Sequence, residues 1–501
     1  MRNHSTISRR DFMKALGLGA AASGALATAP SFLDLDDMMS TGHEQTMKVK
    51  RAWYVKDREI GNPTTEVDWK AVQSHENNYI LNSTNGSRYV FGADGVTAIN
   101  AESAQQLLTA NQAKHPGFLT RDHALLAGTN GKLVFNWAVP SGTSNYSNTA
   151  GLSKYQGTPE ENSKMVRAAA TFLGASSVGF AVLDGDEKKI CNSRHSGGRP
   201  FVWKDVPLAY DDANEIVIPN NKRYYAISIG EQMSKELTRH DSGKHGSGYL
   251  RHAGHFDRYR RWSIVYRAMQ DFLHFLGYEA FGYPGHQAQA FVPAGGDGIL
   301  TGLCEGGRSS NTFISPEYGS IQGYFSVVTD LPLAPTVPID AGIRRFCHTC
   351  RKCAETCPPG AISFDRDPTF DLFKPSLYKY QNVGEDKTVR FVSPGKKNWV
   401  WDAPACWRNA NVFAPRNFGC MNCMGTCTFN VNDGAGIHSM VKGLLATTPL
   451  FNGFLWKADS YYGYGTTPDE KKEEWWEMSL PVSGIDSTIP ASDGAYRKRA
   501  Y

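Results

Sequence analysis

Cysteine spacing constrains this chain more than any other feature. Eight of its ten cysteines lie between positions 347 and 427. The first four, Cys347, Cys350, Cys353 and Cys357, follow the pattern C-x2-C-x2-C-x3-C and precede Pro358. The other four are Cys406, Cys420, Cys423 and Cys427. The first pattern is that of bacterial two-cluster ferredoxins, in which the fourth cysteine of a run binds the partner cluster. The chain is therefore expected to fold around two [4Fe–4S] clusters.

The same rule predicts which cysteines share a cluster. One cluster takes Cys347, Cys350, Cys353 and Cys427, and the other takes Cys357, Cys406, Cys420 and Cys423. The second run departs from the pattern, because a long gap rather than two residues separates Cys406 from Cys420, and no proline follows Cys427. Cys406 is therefore the ligand with the weakest support from spacing.

Zinc and disulfide bonds are the alternative uses of these cysteines. Structural zinc takes four ligands in two pairs, which leaves the third cysteine of each run surplus. A disulfide requires particular Cα separations and Cβ directions, and a C-x2-C-x2-C run is too tight for a good framework. Cys191 and Cys304 stand outside the pattern, and each is expected to be a small buried hydrophobic residue.

Length and charge limit the class of protein and the kinds of partner that this chain can have. At 501 residues the chain is too long for a plain ferredoxin, so a further domain of roughly 300 residues must use the electrons. The formal charge is +4 with both signs interspersed, and the absence of a basic arm argues against a nucleic-acid partner. Aromatic residues make up 12% of the chain, which suits either a flat organic cofactor or a large aromatic core.

The N-terminus carries a targeting signal. Ser8-Arg9-Arg10-Asp11-Phe12 followed by a Gly- and Ala-rich stretch predicts a twin-arginine signal peptide over residues 1–27, cleaved after Ala25-Leu26-Ala27. The twin-arginine route exports proteins already folded around their cofactors, which suits a cluster protein. No other window carries 18 uninterrupted apolar residues, so the mature chain is expected to have no membrane-spanning helix.

Hydrophobic patterning divides the rest of the chain. Residues 28–150 are polar and weakly periodic, which predicts loops and short elements that wrap the outside of the protein. Residues 151–338 are expected to form an α/β domain, residues 339–440 the cluster domain, and residues 441–501 a C-terminal segment that packs on the core. The proline-rich stretch 330–338 is expected to link the first two, because it cannot continue a central strand or helix.

Two helical patterns define the α/β domain. Thr158, Pro159 and Glu161 form a capping-box sequence, and the helix after it is expected to bury Met165, Ala168, Ala169 and Phe172 and to stop at Gly174. Residues 177–183 then predict a buried strand. A second helix is predicted over 259–276, with Gly277 as its terminator. Its apolar stripe consists of Trp262, Val265, Tyr266, Met269, Phe272, Leu273 and Leu276.

Further motifs follow in order along the chain. They are GLCEGGR at 302–308, ISPEYGS at 314–320, TDLPLAP at 329–335 and ATTPLFNGF at 446–454. Together with the twin-arginine sequence and the two cysteine runs, this combination resembles the respiratory reductive dehalogenases. The resemblance implies an α+β fold, with a nitroreductase-like, corrinoid-binding α/β core and a C-terminal bacterial ferredoxin-like domain that holds two [4Fe–4S] clusters.

In that family a tyrosine supplies a proton, and a nearby cation stabilises its phenolate. The resemblance places these roles on Tyr259, near the start of the second predicted helix, and on Arg308 of GLCEGGR. Tyr266 is the alternative tyrosine, although its place in the apolar stripe favours the core. Some family members carry an asparagine shortly after this helix. Residues 281–287 contain none, and His286 or Gln287 would have to substitute.

A corrinoid leaves little trace in a sequence. No D-x-H-x-x-G motif is present to donate a histidine to cobalt, which agrees with the family's habit of binding the cofactor with its lower base detached. The candidate contacts are the glycines Gly295, Gly296 and Gly302, the segment around His438, and Asn452 in Phe451-Asn452-Gly453.

The expected activity is the removal of halide from an organohalide, a chlorinated ethene or a similar compound, as the terminal reductase of anaerobic organohalide respiration. One alternative is an epoxyqueuosine reductase, against which the export signal argues. The other is an exported iron–sulfur electron-transfer subunit without a catalytic site, against which the large α/β domain argues. The expected partners are a small integral-membrane anchor subunit, a membrane electron donor and the Tat translocase, and the expected location is the outer face of the cytoplasmic membrane, peripherally attached.

Overall fold

The computed structural model describes residues 51–129, 133–137, 153–240, 248–286, 288–309, 312–372, 391–412, 420–430, 436–450, 452–461 and 465–477. The chain divides into two compact units, Met1–Trp53 and Tyr54–Tyr501, and every element and site below lies in the second. The predicted signal peptide, residues 1–27, falls outside the described residues.

The strands of the described residues are short apart from two in the centre of the largest sheet. They are β1 (Lys56–Asp57), β2 (Ser177–Val182), β3 (Phe201–Lys204), β4 (Tyr210–Asp211), β5 (Ile216–Pro219), β6 (Tyr225–Gln232), β7 (Ala280–Phe281), β8 (Glu305–Gly306), β9 (Phe313–Ile314), β10 (Gln322–Thr329) and β11 (Ile339–Asp340).

Helices occupy much of the remaining described chain. They are Thr84–Gln112, Thr120–Thr129, Pro159–Phe172, Lys235–Thr238, Gly248–Phe275, Ala294–Leu300, Ile343–Cys347, Lys352–Glu355, Ala403–Val412, Asn422–Gly425, Gly436–Thr447 and Asn452–Tyr461. Shorter-pitched 3-10 turns cover Asn77–Tyr79, Glu187–Ile190 and Asp469–Glu477. This mixture of helix and sheet confirms the predicted α+β class.

The largest sheet has the order β2-β6-β10-β7, and all its neighbours are antiparallel. Every residue of β6 and β10 is buried, so both faces of these strands are covered. Trp262 of the helix Gly248–Phe275 stacks on Phe325 of β10, with ring centroids 4.9 Å apart. Gly298 of the helix Ala294–Leu300 instead lies against the preceding residue of β10, Tyr324. Because successive strand residues point to opposite faces, the two helices cover opposite sides of the sheet.

The helix Pro159–Phe172 starts where its sequence predicts and buries a different face. Both reciprocal bonds of the capping box between Thr158 and Glu161 are present, which confirms that signal. The helix buries Asn162, Ser163, Val166 and Ala170, whereas Phe172 is 90% exposed. The expectation that Met165, Ala168, Ala169 and Phe172 form the buried face is therefore wrong. Asn162 and Ser163 bond the carbonyls of Pro332 and Ala334, and these bonds turn the polar positions inward.

The helix Gly248–Phe275, called the long helix below, begins earlier than its apolar stripe predicts. Five residues of the predicted stripe are buried, namely Trp262, Val265, Tyr266, Met269 and Leu273, whereas Phe272 and Leu276 are only partly buried. Gly277 has the positive φ of a helix terminator. The eleven residues before Tyr259 are also helical, because a further buried set runs from Tyr249 to Phe256. Tyr259 consequently lies in the middle of the helix rather than near its start.

The region 28–150 contains more regular structure than its composition predicts. The helix Thr84–Gln112 begins after Ser83, whose hydroxyl accepts from the amide of Gly86, and it kinks at Gly92. Its inner face mixes small, polar and apolar residues, and the buried positions are Gly86, Ser87, Val90, Ile99, Ser103 and Ala110. The expectation of loops and short elements is wrong here, because a helix with such a face shows no apolar period. Among the described residues no helix is both long and apolar enough to cross a membrane.

Candidate functional site

Two short loops carry most of the cysteines, and they pack against each other. The first cysteine loop, residues 347–357, ends the helix Ile343–Cys347 and contains the helix Lys352–Glu355. The second cysteine loop, residues 420–427, contains the helix Asn422–Gly425. The side-chain amide of Asn422 donates to the carbonyl of Thr356 over 3.2 Å, which ties the two loops together. Residues far apart in sequence thereby meet in one thiol-rich region.

The thiols fall into two neighbouring sets of four. Cys427 lies within electrostatic range of Cys347 and Cys350, and Cys353 lies within range of the same two thiols. Cys406 lies in the same relation to Cys357, Cys420 and Cys423. Cys353 and Cys423 interact with each other, so they stand where the two sets meet. The sets that the structure brings together have the membership that spacing predicts; their role as cluster ligands stays a prediction.

The chemistry of these thiols fits a bound group that supplies positive charge. Burial, followed by the effect of nearby thiols, raises the pKa of Cys423 to about 12, and burial raises that of Cys357 to about 11. Such thiols would stay protonated alone, whereas metal binding favours the thiolate. Among the described residues no three His, Cys, Asp or Glu side chains converge on a single metal ion. In a cubane each thiolate binds a separate iron, so convergence on one ion is not required.

The side chain of Arg308 packs against the first cysteine loop. This placement is inconsistent with its expected role as the cation beside Tyr259. The side chain is 1% exposed, and its guanidinium donates to backbone carbonyls of five residues. These residues are Cys347, His348, Cys350, Ser363 and Asp365. The guanidinium also stacks on the ring of Trp399 at 4.9 Å. With its donors directed at these carbonyls, Arg308 holds the shape of the loop rather than a phenolate.

Glu305 of the same GLCEGGR motif binds the start of the helix that leads into the first cysteine loop. Its carboxylate accepts from the amides of Ala341, Ile343 and Arg344, and from the hydroxyl of Thr64. These amides belong to the start of the helix that ends at Cys347, and a carboxylate there satisfies donors that have no partner within the helix. GLCEGGR therefore holds both the helix that leads into the loop and the first residues of the loop itself, a role that its sequence did not indicate.

The second cysteine loop has a buried arginine of its own. Arg251 of the long helix is 1% exposed and donates to the carbonyl of His240 and to the side-chain oxygen of Asn422. Its charge lies close enough to Cys423 to oppose the rise in the pKa of that thiol. Each cysteine loop thus faces at least one buried guanidinium, which offsets negative charge on a thiolate set.

Tyr259 lies half-buried in the long helix, and its cationic partner is Arg258. The Nη2 atom of Arg258 donates to the Tyr259 hydroxyl over 2.9 Å. The same atom lies 3.1 Å from Nε2 of His255. Burial, and then the charge of Arg258, hold the pKa of His255 well below its usual range, so this ring is neutral and accepts from the guanidinium. The sequence-adjacent arginine thus takes the position that was expected for Arg308.

The Tyr259 side chain sits above one end of β6 and β10. An added Cβ on Gly323 of β10 would lie 2.5 Å from Cδ of Arg258, so the arginine crosses the strand where no side chain blocks it. Glu231 of β6 pairs with Gly323 and is fully buried, and among the described residues its carboxylate has no hydrogen-bond partner. Burial raises the pKa of Glu231 to about 8, although the charge of Arg261 opposes this shift. We call Glu231, His255, Arg258 and Tyr259 the strand-end site.

The second cysteine loop packs against residues that flank β6 and β10 at the end of the sheet where the strand-end site lies. Met424 contacts Met233 and Ile321, which continue β6 and precede β10 respectively. The Ser320 hydroxyl donates to the carbonyl of Met424 over 2.7 Å, and the Asn430 amide donates to the same carbonyl. These contacts place the second cysteine loop at the same end of the sheet as Glu231 and Gly323, which lie two residues from Met233 and Ile321 respectively.

The residues expected to contact a corrinoid have different surroundings. Asn452 is 1% exposed, and among the described residues both atoms of its side-chain amide lack a hydrogen-bond partner, so it suits an absent polar group. Gly295 packs against the ring of Phe313, which an added Cβ would approach to 2.0 Å, and Gly302 takes a positive φ of 72° after its helix. Packing explains glycine at position 295 and backbone conformation explains glycine at position 302, so neither requires a bound corrinoid. Gly296 meets only ordinary contacts, and the side chain of His438 lies outside the described residues.

The alternative residues do not join the strand-end site. The Tyr266 hydroxyl is buried, donates to the carbonyl of Asn136 and accepts from the amide of Tyr283, as a core tyrosine does. His286 accepts from the amide of Ala288, and Gln287 lies outside the described residues. Cys191 and Cys304 are free and buried, as expected for small hydrophobic residues.

The family profile and the relatives among known proteins all point to the same family. A family profile described as "Reductive dehalogenase subunit" matches residues 50–333. A trichloroethene reductive dehalogenase of Dehalococcoides mccartyi is 28% identical, over 97% of this chain and 99% of its own length. A chloroethene reductive dehalogenase of Dehalococcoides mccartyi strain VS is 27% identical, over 96% and 99%.

Solved structures show the same fold. A catabolic reductive dehalogenase superposes with a TM-score of 0.52 at 20% identity, covering 82% of this chain. A second reductive dehalogenase, whose structure is described as suggesting a mechanism for B12-dependent dehalogenation, superposes with a TM-score of 0.53 at 19% identity. This chain spans about half the length of each of these two proteins.

These matches define an oxidoreductase that acts on carbon–halogen bonds. The chain belongs to the reductive dehalogenase family.

Proposed function

We propose that this protein removes halide from a small organohalide by using a corrinoid and two [4Fe–4S] clusters. One arrangement carries the proposal: two neighbouring sets of four buried or half-buried thiols, in the same compact unit as Tyr259 and its guanidinium partner Arg258. The sheet β2-β6-β10-β7 and its helices would form the nitroreductase-like core, and residues 339–440 the ferredoxin-like domain. The relatives named for trichloroethene and chloroethene suggest a chlorinated ethene as substrate.

The reaction consumes two electrons and one proton and converts a carbon–halogen bond into a carbon–hydrogen bond plus halide. When bound, the clusters supply single electrons and the corrinoid supplies a cobalt centre of low potential. Asn452, with its unpaired buried amide, would hold a polar edge of the corrinoid. Cysteines of the first set would hold one cluster, and those of the second set the other.

Tyr259 would donate the proton from its hydroxyl. The guanidinium of Arg258, 2.9 Å away, favours the phenolate that proton release leaves behind. His255 accepts from the same guanidinium and so fixes its direction toward the hydroxyl. Phe325 lies against the Tyr259 ring with centroids 5.6 Å apart, which limits the positions that the phenol can take.

The cellular setting is part of the proposal. The twin-arginine sequence supports export by the Tat translocase after the clusters are loaded, and peripheral attachment at the outer face of the cytoplasmic membrane. Attachment would need a small integral-membrane anchor subunit, and electrons would come from a membrane donor.

Metal analysis of the anaerobically purified protein tests the proposal. We expect about one cobalt for every eight irons, together with halide release from a chlorinated ethene supplied with reductant. Full iron loading without cobalt, in protein that does not release halide, would instead support an electron-transfer subunit.

A further inference from the structure

A cavity of about 470 Å³ opens beside the first cysteine loop, away from the strand-end site. This volume lies within the range of roughly 300–1,000 Å³ that is usual for small-molecule sites. The charged groups in its wall that matter here are Arg58, Arg344, Arg345 and Arg366, together with Glu305 and Asp340. Guanidinium groups outnumber carboxylates, so the cavity is suited to an anion.

Both wall carboxylates are already engaged. Glu305 accepts four hydrogen bonds from Thr64 and the start of the helix Ile343–Cys347. Asp340 accepts from the amide of Gly342 over 2.8 Å and pairs with Arg345 at 3.6 Å. Neither carboxylate faces Arg58 or Arg366 within ion-pair distance.

The arginines in the cavity wall differ in how deeply their side chains are buried. Arg344 is buried, stacks on Trp399 at 5.1 Å and lies close enough to Cys347 to oppose the rise in the pKa of that thiol. Its charge therefore offsets the thiol set beneath it. Within the described part of the chain, the Arg58 side chain bonds only neutral oxygens of Asn62. Arg366 is exposed, and among the same residues its side chain has no hydrogen bond or ion pair. These two outer charges are left for a ligand.

The cavity opens at the more exposed of the two cysteine loops. Its wall includes His348 and the exposed Thr349, which separate the thiol-bearing residues Cys347 and Cys350. The second cysteine loop lies deeper, since Asn422, Met424, Gly425 and Thr426 are all buried. A ligand in the cavity therefore lies against the first cysteine loop, between the positions of Cys347 and Cys350.

We propose that this cavity binds the immediate electron donor to the first cluster, and that this donor is a small redox-active organic molecule that carries electrons from the membrane donor and has two negative charges, as carboxylate or phosphate groups. The inference rests on the proposed function, because it requires a cluster on the first thiol set. The donor gives up one electron at a time, the first cluster takes it up, and no bond forms or breaks. Two such transfers supply one dehalogenation.

Reductants of opposite charge test the site in the intact, cluster-loaded protein. Dithionite is an anion and reduced methyl viologen a cation, and bleaching of the cluster absorbance reports reduction by either. In the double variant Arg58→Gln, Arg366→Glu, reduction by dithionite at low ionic strength should be about tenfold slower, whereas reduction by methyl viologen should not slow. The difference should fade in high salt. The control is Arg223→Glu, a 60% exposed arginine that does not line the cavity.

Competition identifies the occupant. Inorganic pyrophosphate, a small polyanion, should slow dithionite reduction of the wild type and have no effect on the double variant. Equal changes for both reductants, or the same change in Arg223→Glu, would overturn the site. A charge effect that pyrophosphate does not reduce would overturn the small-molecule donor in favour of an acidic protein surface. All these rates are read from the clusters, so they stand even if no cobalt is found and the proposed function fails.

Discussion

At the scale of single residues, an arginine's role here depends on which carbonyls or hydroxyls surround it. Arg308 lies near the thiols of the first cysteine loop, and Arg258 lies near the hydroxyl of Tyr259. Arg308 is surrounded by backbone carbonyls of the first cysteine loop, whereas Arg258 meets a phenol and an imidazole. Around Arg308 the several N–H donors of the planar guanidinium matter most, because each carbonyl accepts a hydrogen bond. Beside Tyr259 the positive charge of Arg258 matters most.

Removal of the Tyr259 hydroxyl should stop proton delivery and leave the fold intact. In Tyr259→Phe we expect unchanged iron and cobalt content and a fall in turnover of roughly 10²–10⁴. Tyr266→Phe is the matched control, because it deletes a core hydroxyl that bonds Asn136 and Tyr283. That variant should lose stability and keep its turnover. The reverse pattern would move the proton donor to Tyr266.

Replacement of Arg308 should affect cluster loading before it affects chemistry. Arg308→Gln leaves several buried carbonyls of the first cysteine loop without donors, at a cost of about 1–3 kcal/mol for each unsatisfied group. We expect iron content and turnover to fall together, and Arg308→Lys to recover only part of both. Full iron content with a selective loss of turnover would return Arg308 to the role of catalytic cation.

Glu231 should make the folded protein less stable as the pH rises. Burial raises its pKa from 4.5 to about 8, so the native state holds a proton that the unfolded state has already released between these values. The stabilisation is present below pH 4.5 and is lost as the pH rises through about 8. Glu231→Gln should flatten this part of the stability profile in thermal unfolding, whereas the exposed Glu59→Gln should not. A parallel profile in both variants would contradict the assignment.

At the scale of secondary-structure elements, local signals located the ends of elements better than their buried faces. The capping box at Thr158 set the start of its helix, because the atoms that form it are only three residues apart. The buried face of that helix was set by Pro332 and Ala334, more than 150 residues later, which no local pattern contains.

The capping box gives a prediction at this scale. Thr158→Ala removes an acceptor from the first turn and should destabilise the helix by about 1 kcal/mol. Amides of residues 160–164 should then exchange faster with deuterium, while those of the long helix keep their rates. Thr171→Ala on the same helix is the control, and equally fast exchange in that variant would count against the cap as the cause.

At the scale of the whole molecule, each thiol set draws on both cysteine loops. Cys427 joins the set of Cys347 and Cys350, and Cys357 joins the set of Cys420. Neither set is complete without the other loop, so the two loops and their buried arginines, Arg308 and Arg251, must come together for either cluster to form.

Single cysteine replacements test this crossed arrangement. Cys427→Ser and Cys406→Ser should each remove or degrade one cluster, leaving about four of eight irons, and electron paramagnetic resonance should show that different clusters are lost. Cys191→Ala, outside both sets, should keep all the iron. Loss of the same cluster in both serine variants would require the ligand sets to be redrawn.

The sequence by itself determined the number and spacing of the cysteines, and with them the expectation of two cubane clusters. It also determined the capping box and the apolar stripe of the long helix. These signals lie within short stretches, where covalent geometry fixes which atoms can meet.

Only the tertiary structure decided that Arg258 rather than Arg308 meets Tyr259, that Glu231 lies buried beside them, and that the GLCEGGR motif clamps a cysteine loop. Each of these contacts depends on where a helix crosses a sheet or a loop closes. Their positions follow from long-range packing, which the order of residues along one segment does not reveal.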